Sequence, residues 1–257
     1  MLGIGQISSR IAELIRGALP YAIINNNPDA SRFARLISYR EVQEAIDVGH
    51  TWIQVKPSDV YYEGFTVDNN YTKVESSWGA QFTNLNVGSN QHVIVVSASY
   101  CTLTGLSSYT PGVESGHDRR PFNITGSYNF IINCLVEDSD ASGFGAEGTY
   151  NTFQNCHVSD VDDYGFYVNS SNNSIIGCRI ITSGSSAVHF EAAADRCMFN
   201  DNYSASTSAV GVAGGSAEGV MIGNMINGAV SISSSDAWIL GSTTSNSADP
   251  PGANKLY

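Results

Sequence analysis

The chain has 257 residues, of which 42% are hydrophobic and only 14% are charged, and its formal net charge is −12. This length suits one large elongated domain with a short appendage, and the abundance of Ser, Thr, Asn and Gly is typical of a β-rich fold and not of a helical bundle. The acidic balance argues against nucleic-acid binding, which needs Lys and Arg to neutralise phosphates. No run of about 18 apolar residues is present, so we expect no membrane span.

The charge is unevenly distributed along the chain. Residues 1–40 contain five arginines against Glu13 and Asp29, a net charge of +3, so the rest of the chain carries −15. A basic end on an acidic body indicates that the end docks onto another component while the body faces outward. The acidic, lysine-poor body is typical of halophilic proteins and equally of ordinary extracellular ones. The first residues lack the pattern of a secretory signal peptide, and we expect none.

Residues 1–38 are predicted to form an N-terminal helix and a linker. Apolar residues follow one another there at steps of three and four, at Ile4, Ile7, Ile11 and Leu14. Isoleucine at both seam positions favours a three-stranded coiled coil, which predicts a homotrimer anchored to other proteins through this end. The same stripe is equally consistent with a helix packed against the body of its own chain.

A second, shorter helix is predicted at residues 39–48. Ser38-Tyr39-Arg40-Glu41 has the form of a capping box, and Val42, Ala45 and Ile46 follow at helical spacing before Gly49. We expect this helix to cover the first coil of the domain that follows, because an uncovered strand edge is a template for aggregation.

An internal repeat with a period of about 22 residues governs the rest of the chain. Residues 131–136, 153–158 and 175–180 align with one another, and they place Cys134, Cys156 and Cys178 at the same position of each segment. The register continues, with a slip of one residue, at 198–203 and 221–226. A second short strand recurs in phase at 144–146, 166–168, 188–190, 210–212 and 230–232. Strand alternation predicts an inward row of Phe144, Phe166, Val188, Val210 and Val230, and an outward row of Gly145, Tyr167, His189 and Gly211. Repeats of this length without helices indicate one coil per repeat in a parallel solenoid. We predict about eight coils over residues 39–246 and a C-terminal tail at 247–257.

The repeat also predicts which side chains are structural. Asn133, Asn155 and Asn200, together with Gly177 and Gly223, are assigned to one corner, because Asn and Gly tolerate the left-handed backbone that a sharp corner needs. Cys134, Cys156 and Cys178 are predicted to point inward as a ladder of reduced, apolar thiols, since stacked parallel side chains rarely reach disulfide torsions.

The coiled repeat, preceded by Val42–Gly49 and the strand Trp52-Ile53-Gln54-Val55, resembles the pectate-lyase-like superfamily, and among its members the viral tailspikes and virion surface proteins. This resemblance covers residues 39–246 and implies an all-β, right-handed parallel β-helix. It implies little about function, because one fold hosts many activities.

Outward-facing residues of the repeat supply the candidate functional residues. If the protein is an enzyme, Glu147 and Glu191 are the candidate catalytic carboxylates, with Asp163 and His189 beside them. Tyr167, His189, Arg119 and Arg120 are candidates for ligand binding. Asp160, Asp162 and Asp163 are candidates for Ca²⁺, a cation that prefers hard oxygen ligands; no other cofactor is indicated.

Three functions are compatible with these features. The first is a host-facing virion surface protein, as a capsid decoration, turret or tail spike, with a host glycan as a candidate partner. The second is a polysaccharide-degrading hydrolase or lyase, and the third is an extracellular glycan-binding module. The residue series of the polygalacturonases is absent from the sequence, which favours a non-enzymatic role.

Overall fold

Strands dominate the structure, a computed structural model that describes residues 22–24, 38–39, 41–57, 62–83, 92–110, 120–181, 183–205, 210–213, 218–228, 230–232, 238–241 and 244–245. Every strand pair among these residues is parallel, and the strands form one 18-stranded sheet and one 8-stranded sheet. We call these sheet A and sheet B. Among the described residues, no helix is long and apolar enough to cross a membrane.

Each coil contributes two strands to sheet A and one to sheet B. The first column of sheet A contains β1 (Ala22–Ile24), β2 (Ser38–Tyr39), β3 (Trp52–Val55), β10 (Phe130–Ile132), β13 (Thr152–Gln154), β16 (Ser174–Ile176), β19 (Cys197–Asn200), β22 (Gly219–Ile222) and β25 (Trp238–Gly241). The second column contains β4 (Tyr62–Glu63), β11 (Leu135–Ser139), β14 (His157–Val161), β17 (Arg179–Ile180), β20 (Tyr203–Ser204), β23 (Met225–Ile226) and β26 (Thr244–Ser245). Two long strands, β6 (Lys73–Thr83) and β8 (Thr102–Thr110), run through both columns.

Sheet B contains β5 (Phe65–Val67), β7 (Ile94–Val96), β9 (Phe122–Ile124), β12 (Phe144–Ala146), β15 (Tyr164–Val168), β18 (Ser186–Phe190), β21 (Val210–Val212) and β24 (Val230–Ile232). Its eight strands are separated by seven steps, so the solenoid has about seven turns where the repeat predicted about eight. From Phe122 to Val210 the paired residues of successive coils are always 22 residues apart in the sequence, which confirms the predicted period.

The core lies between the two sheets and is built from inward ladders. Phe122, Phe144 and Phe166 stack on successive coils with ring centroids 4.8 and 5.0 Å apart, and the ring of Phe153 from sheet A meets Phe144 edge-on. These rings are almost completely buried, which confirms the predicted inward row. Because each coil buries its apolar side chains against the next coil, a single repeat cannot hold this core alone.

The short helix α1 (Val42–Asp47) buries Val42, Ala45 and Ile46 against the first strands. The predicted capping box is wrong. Ser38 and Tyr39 form β2, which pairs with β1, and the helix begins after Glu41, whose side chain makes no capping bond. The Glu41 carboxylate instead accepts a hydrogen bond from the backbone N–H of Glu63. The residues that the local motif assigned to the start of a helix therefore form a strand, because they pair with β1.

The corner between the two columns of sheet A has the left-handed backbone that the repeat predicted. Asn133, Asn155, Gly177 and Gly223 all have positive φ, as predicted. Asn200 does not belong there, because Asp201 occupies the corner with φ of 55°. Ile175 pairs with Phe199, whereas the sequence alignment placed Met198 opposite it, so the intervening coil is longer than predicted and the corner shifts by one position.

The cysteine ladder is buried and reduced, as predicted. Cys134, Cys156 and Cys178 lie one above another, and all five cysteines of the chain are free and buried. Burial raises the pKa of Cys134 to about 12 and that of Cys197 to about 11, and it also raises the pKa of Cys156 and Cys101. These thiols therefore act as small apolar side chains.

We expect the native protein to be unreactive toward a disulfide-exchange reagent at pH 8. The thiolate is the reactive form, and a pKa near 12 leaves on the order of one thiolate in 10⁴ for Cys134 at that pH. After unfolding in guanidinium, all five thiols should react. The absorbance of the thiol that the reagent releases gives the number of reactive cysteines before and after unfolding. Rapid reaction of several thiols in the native chain would contradict this assignment.

Candidate functional site

The outer face of sheet B presents a continuous row of side chains. Alternation along the strands turns Phe144, Phe166 and Val188 inward, so the residue that follows each of them faces outward. Asn123, Gly145, Tyr167, His189 and Gly211 are paired in register across β9, β12, β15, β18 and β21. The order of the last four matches the row that the repeat predicted. We call this surface the sheet-B strip and define it as Arg120, Asn123, Glu147, Tyr164, Tyr167, His189 and Glu191.

Arg120 organises the first half of the strip. Its Nη1 donates hydrogen bonds to Glu147 Oε1 at 2.5 Å and to Asn123 Oδ1 at 3.3 Å, and its Cζ lies 4.4 Å from the centre of the Tyr167 ring. The Arg120 side chain is only 4% exposed, whereas that of Glu147 is 34% exposed. The guanidinium is therefore held between a carboxylate and an aromatic face, which fixes Tyr167 and Glu147 in position.

Gly145 makes this packing possible. A Cβ at this position would come within 2.6 Å of Arg120 Cδ and 2.7 Å of Asn123 Oδ1, closer than real Cβ contacts allow. The missing side chain leaves the space on β12 that the arginine fills. Gly145, which the repeat assigned to the outward row, thus lies directly beneath the Arg120 side chain and leaves room for it.

The second half of the strip is centred on Glu191. The Tyr167 hydroxyl donates to Glu191 Oε1 at 3.3 Å, and His189 Nε2 lies 3.3 Å from the same oxygen. The Tyr164 ring stacks on the His189 ring with centroids 4.5 Å apart and an interplanar angle of 17°. Burial, aided by the negative charges of Asp163 and Glu191, raises the pKa of Tyr164, so this phenol stays protonated at neutral pH.

The strip as a whole combines partly exposed rings with hydrogen-bonding groups and two carboxylates that already have partners. Glu147 is paired with Arg120, and Glu191, also 34% exposed, is held by Tyr167 and His189. The two carboxylates occupy equivalent positions two coils apart, because the backbone N–H of each bonds to the preceding coil at the same place. At the usual strand spacing that is about 9.6 Å along the axis.

The three aspartates predicted to bind Ca²⁺ have separate roles. Asp160 sits at a corner with φ of 54°, directly below the equivalent Asp138 at 55°, and Asp162 is exposed. Asp163 Oδ2 accepts a hydrogen bond from the Ser142 hydroxyl at 3.1 Å. Within the described ranges, no three His, Cys, Asp or Glu side chains lie together as a metal site requires. Calcium binding here stays a prediction.

Arg119 and the seam residues Ile4, Ile7, Ile11 and Leu14 lie outside the described residues. Of the predicted binding residues, the structure brings together Arg120, Tyr167 and His189 with Glu147 and Glu191. The sequence did not assign Asn123 or Tyr164 to this surface. Their signals were the equivalence of Asn123 with the outward row and the Tyr164-x-x-Tyr167 spacing next to β15.

Comparison with known families gives one match. The family model described as right handed beta helix region matches residues 64–244. The chain belongs to this family. The match confirms the parallel β-helix and its right hand, and it covers every strand of sheet B that carries the strip. No curated protein and no solved structure matches the chain. Membership of the right-handed β-helix family therefore identifies the scaffold and leaves the activity to be argued from the strip.

Proposed function

We propose that this protein is a host-facing surface protein of a virion, a capsid decoration, turret or tail spike, and that it contacts a glycan through the sheet-B strip. The observation that carries the glycan contact is the Tyr164 and His189 ring stack beside Glu191, on the outer face of a rigid sheet. Aromatic rings next to fixed hydrogen-bonding groups provide both an apolar surface for sugar CH groups and partners for sugar hydroxyls.

A binding role is favoured over a cleaving one because both carboxylates are already engaged. Glu147 bonds to Arg120 and Glu191 to Tyr167, and each of the two carboxylate side chains is 34% exposed. Groups held in place before a ligand arrives lose little conformational entropy on binding. The virion location is supported by the basic N-terminal segment of an otherwise acidic chain and by the slow unfolding expected of continuous ladders.

A glycan array probed with the labelled full-length chain tests the glycan contact. For a glycan that binds, we expect His189→Ala and Tyr164→Ala each to weaken the affinity about tenfold, the effect of losing roughly 1.4 kcal/mol of contact energy. Neither residue touches the Arg120 ion pair, so the fold should survive. Tyr203→Ala, an exposed tyrosine on sheet A, is the matched control and should bind like the unchanged chain. Equal affinity of all four proteins would reject the strip as the binding surface.

A second candidate function is hydrolysis of a polysaccharide. It is favoured by the equivalent positions of Glu147 and Glu191 two coils apart, since about 9.6 Å is near the upper limit for the carboxylates of inverting glycosidases. Their different surroundings, an arginine for one and a tyrosine with a histidine for the other, are what an acid and base pair requires. Release of reducing ends that Glu191→Gln abolishes would establish this function and replace the binding role.

A further inference from the structure

A ladder of exposed tyrosines runs along a different edge of the β-helix. Tyr71, Tyr100, Tyr128 and Tyr150 stack on four successive coils, with ring centroids 5.2, 5.0 and 4.8 Å apart and interplanar angles of 11°, 6° and 2°. They are between 42% and 71% exposed, and their hydroxyls bond to none of the described residues. We call this surface the tyrosine ridge. Phe130, 49% exposed, lies beside it two residues after Tyr128.

The backbone of the ridge has a left-handed conformation, which is unfavourable for residues other than Gly, Asn and Asp. All four tyrosines have φ between 58° and 62°, in the left-handed region, where the next coil uses Asn172 with φ of 61°. The other left-handed corners of the described chain carry mostly Asn, Asp and Gly, which tolerate this backbone.

Left-handed backbone and ring stacking act in opposite directions on the ridge. The backbone disfavours tyrosine relative to asparagine, whereas each ring that packs on the next one stabilises the row. The stack therefore holds four half-exposed rings in fixed positions on the surface.

The ridge lies on turns with few charges. Residues 97–101 and 125–129 contain no Asp, Glu, Lys or Arg, whereas the equivalent turns 68–72 and 147–151 each begin with a carboxylate, Asp68 and Glu147, and Glu147 is paired with Arg120. Two copies of a chain with a net charge of −12 repel each other wherever their carboxylates meet. The ridge is a surface on which two copies meet few carboxylates, so this repulsion is small there.

The ladder geometry also selects its partner. Along the ridge the rings cover one another, so the inner rings offer their edges and hydroxyls to a partner. A second copy of the same solenoid has the same coil spacing of about 4.8 Å, so its side-chain rows stay in register with the ridge over its whole length. Pre-stacked rings also lose little side-chain entropy on contact.

We propose that the tyrosine ridge is the surface through which a second copy of this chain packs side by side against the β-helix. Four half-exposed tyrosines and Phe130 supply roughly 500 Å² of contact surface, taking about 200 Å² for each aromatic side chain. That is more than half of the area of about 800 Å² that each partner contributes to a standard interface. This association does not depend on glycan binding, and it places an oligomer contact on the body of the chain in addition to the N-terminal seam.

The test is the molar mass of the full-length chain by light scattering and by sedimentation at several concentrations. In a chain whose N-terminal seam is removed by Ile7→Asp and Ile11→Asp, we expect an oligomer, a multiple of 27.4 kDa, and its conversion to monomers when Tyr100→Asn, Tyr128→Asn and Tyr150→Asn are added. Asparagine suits this backbone, as Asn172 shows, so circular dichroism should report an unchanged fold. Tyr203→Asn, an exposed tyrosine away from the ridge, is the matched control and should leave the mass unchanged.

Two further variants keep the test decisive. If the triple variant does not fold, the single change Tyr128→Asn in the middle of the stack should weaken association about tenfold, the loss of one well-buried aromatic contact. Ile7→Asp with Ile11→Asp probes the N-terminal seam separately. A chain without the seam that stays monomeric at all concentrations, or that keeps its mass when the ridge changes are added, would overturn the proposal. Glycan affinity per subunit should be the same in the monomeric variant. The glycan proposal and the ridge proposal can therefore fail separately, one in the affinity and the other in the molar mass.

Discussion

Replacement of Asn151 by alanine is expected to lower the free energy of unfolding by about 4 kcal/mol, because it leaves two buried backbone groups without partners at roughly 2 kcal/mol each. Asn151 is completely buried. Its Oδ1 accepts from the backbone N–H of Asn129 at 2.9 Å, and its Nδ2 donates to the carbonyl of Gly126 at 3.0 Å. Asn173 Oδ1 in turn accepts from the backbone N–H of Asn151, so the three asparagines link three coils.

Chemical denaturation followed by circular dichroism measures this loss. Asn169→Ala is the control on the adjacent coil: its side chain is exposed, and the change should cost less than about 0.5 kcal/mol. A cost below about 1 kcal/mol for Asn151→Ala would mean that the side-chain ladder contributes little and that the backbone pairing of the coils dominates.

The change Glu147→Gln is expected to cost about 3 kcal/mol of stability, because it removes the charge that compensates the buried Arg120 guanidinium. Glutamine keeps the size of the side chain and one acceptor oxygen, so the loss reports the charge and not the packing. Glu191→Gln is the matched comparison at the equivalent position two coils away, where the partners are a phenol and a histidine. It should cost less than about 1 kcal/mol.

This pair of variants also separates structural from functional carboxylates. Melting temperature and denaturant midpoint should fall for Glu147→Gln alone, whereas glycan binding should weaken for Glu191→Gln without a change in stability. If Glu147→Gln cost less than about 1 kcal/mol, Arg120 would not depend on Glu147, and its burial would have to be balanced by another group.

The periodic part of the fold follows from the sequence because side-chain period and coil length are local properties. The equal spacing of Cys134, Cys156 and Cys178 predicted parallel coils, the inward cysteine ladder and the outward row that includes Tyr167 and His189. The prediction was wrong where a local motif competed with a distant pairing. Ser38 and Tyr39 join a strand in place of a capping box, and one longer coil moved the corner from Asn200 to Asp201.

The sequence by itself determined the coil period, the inward and outward faces, and which residue types occupy one left-handed corner of most coils, since each of these depends on neighbours a few residues or one repeat away. Only the tertiary structure decided that Arg120 lies over the space left by Gly145, on the next coil of the chain, and stacks on Tyr167. It alone brought Tyr71, Tyr100, Tyr128 and Tyr150 into one exposed ladder, because the first three follow one another at longer intervals than the repeat. The tyrosines stack because they occupy the same position on successive coils. Loops of different length separate them in the sequence, so the sequence alone does not show that their positions are equivalent.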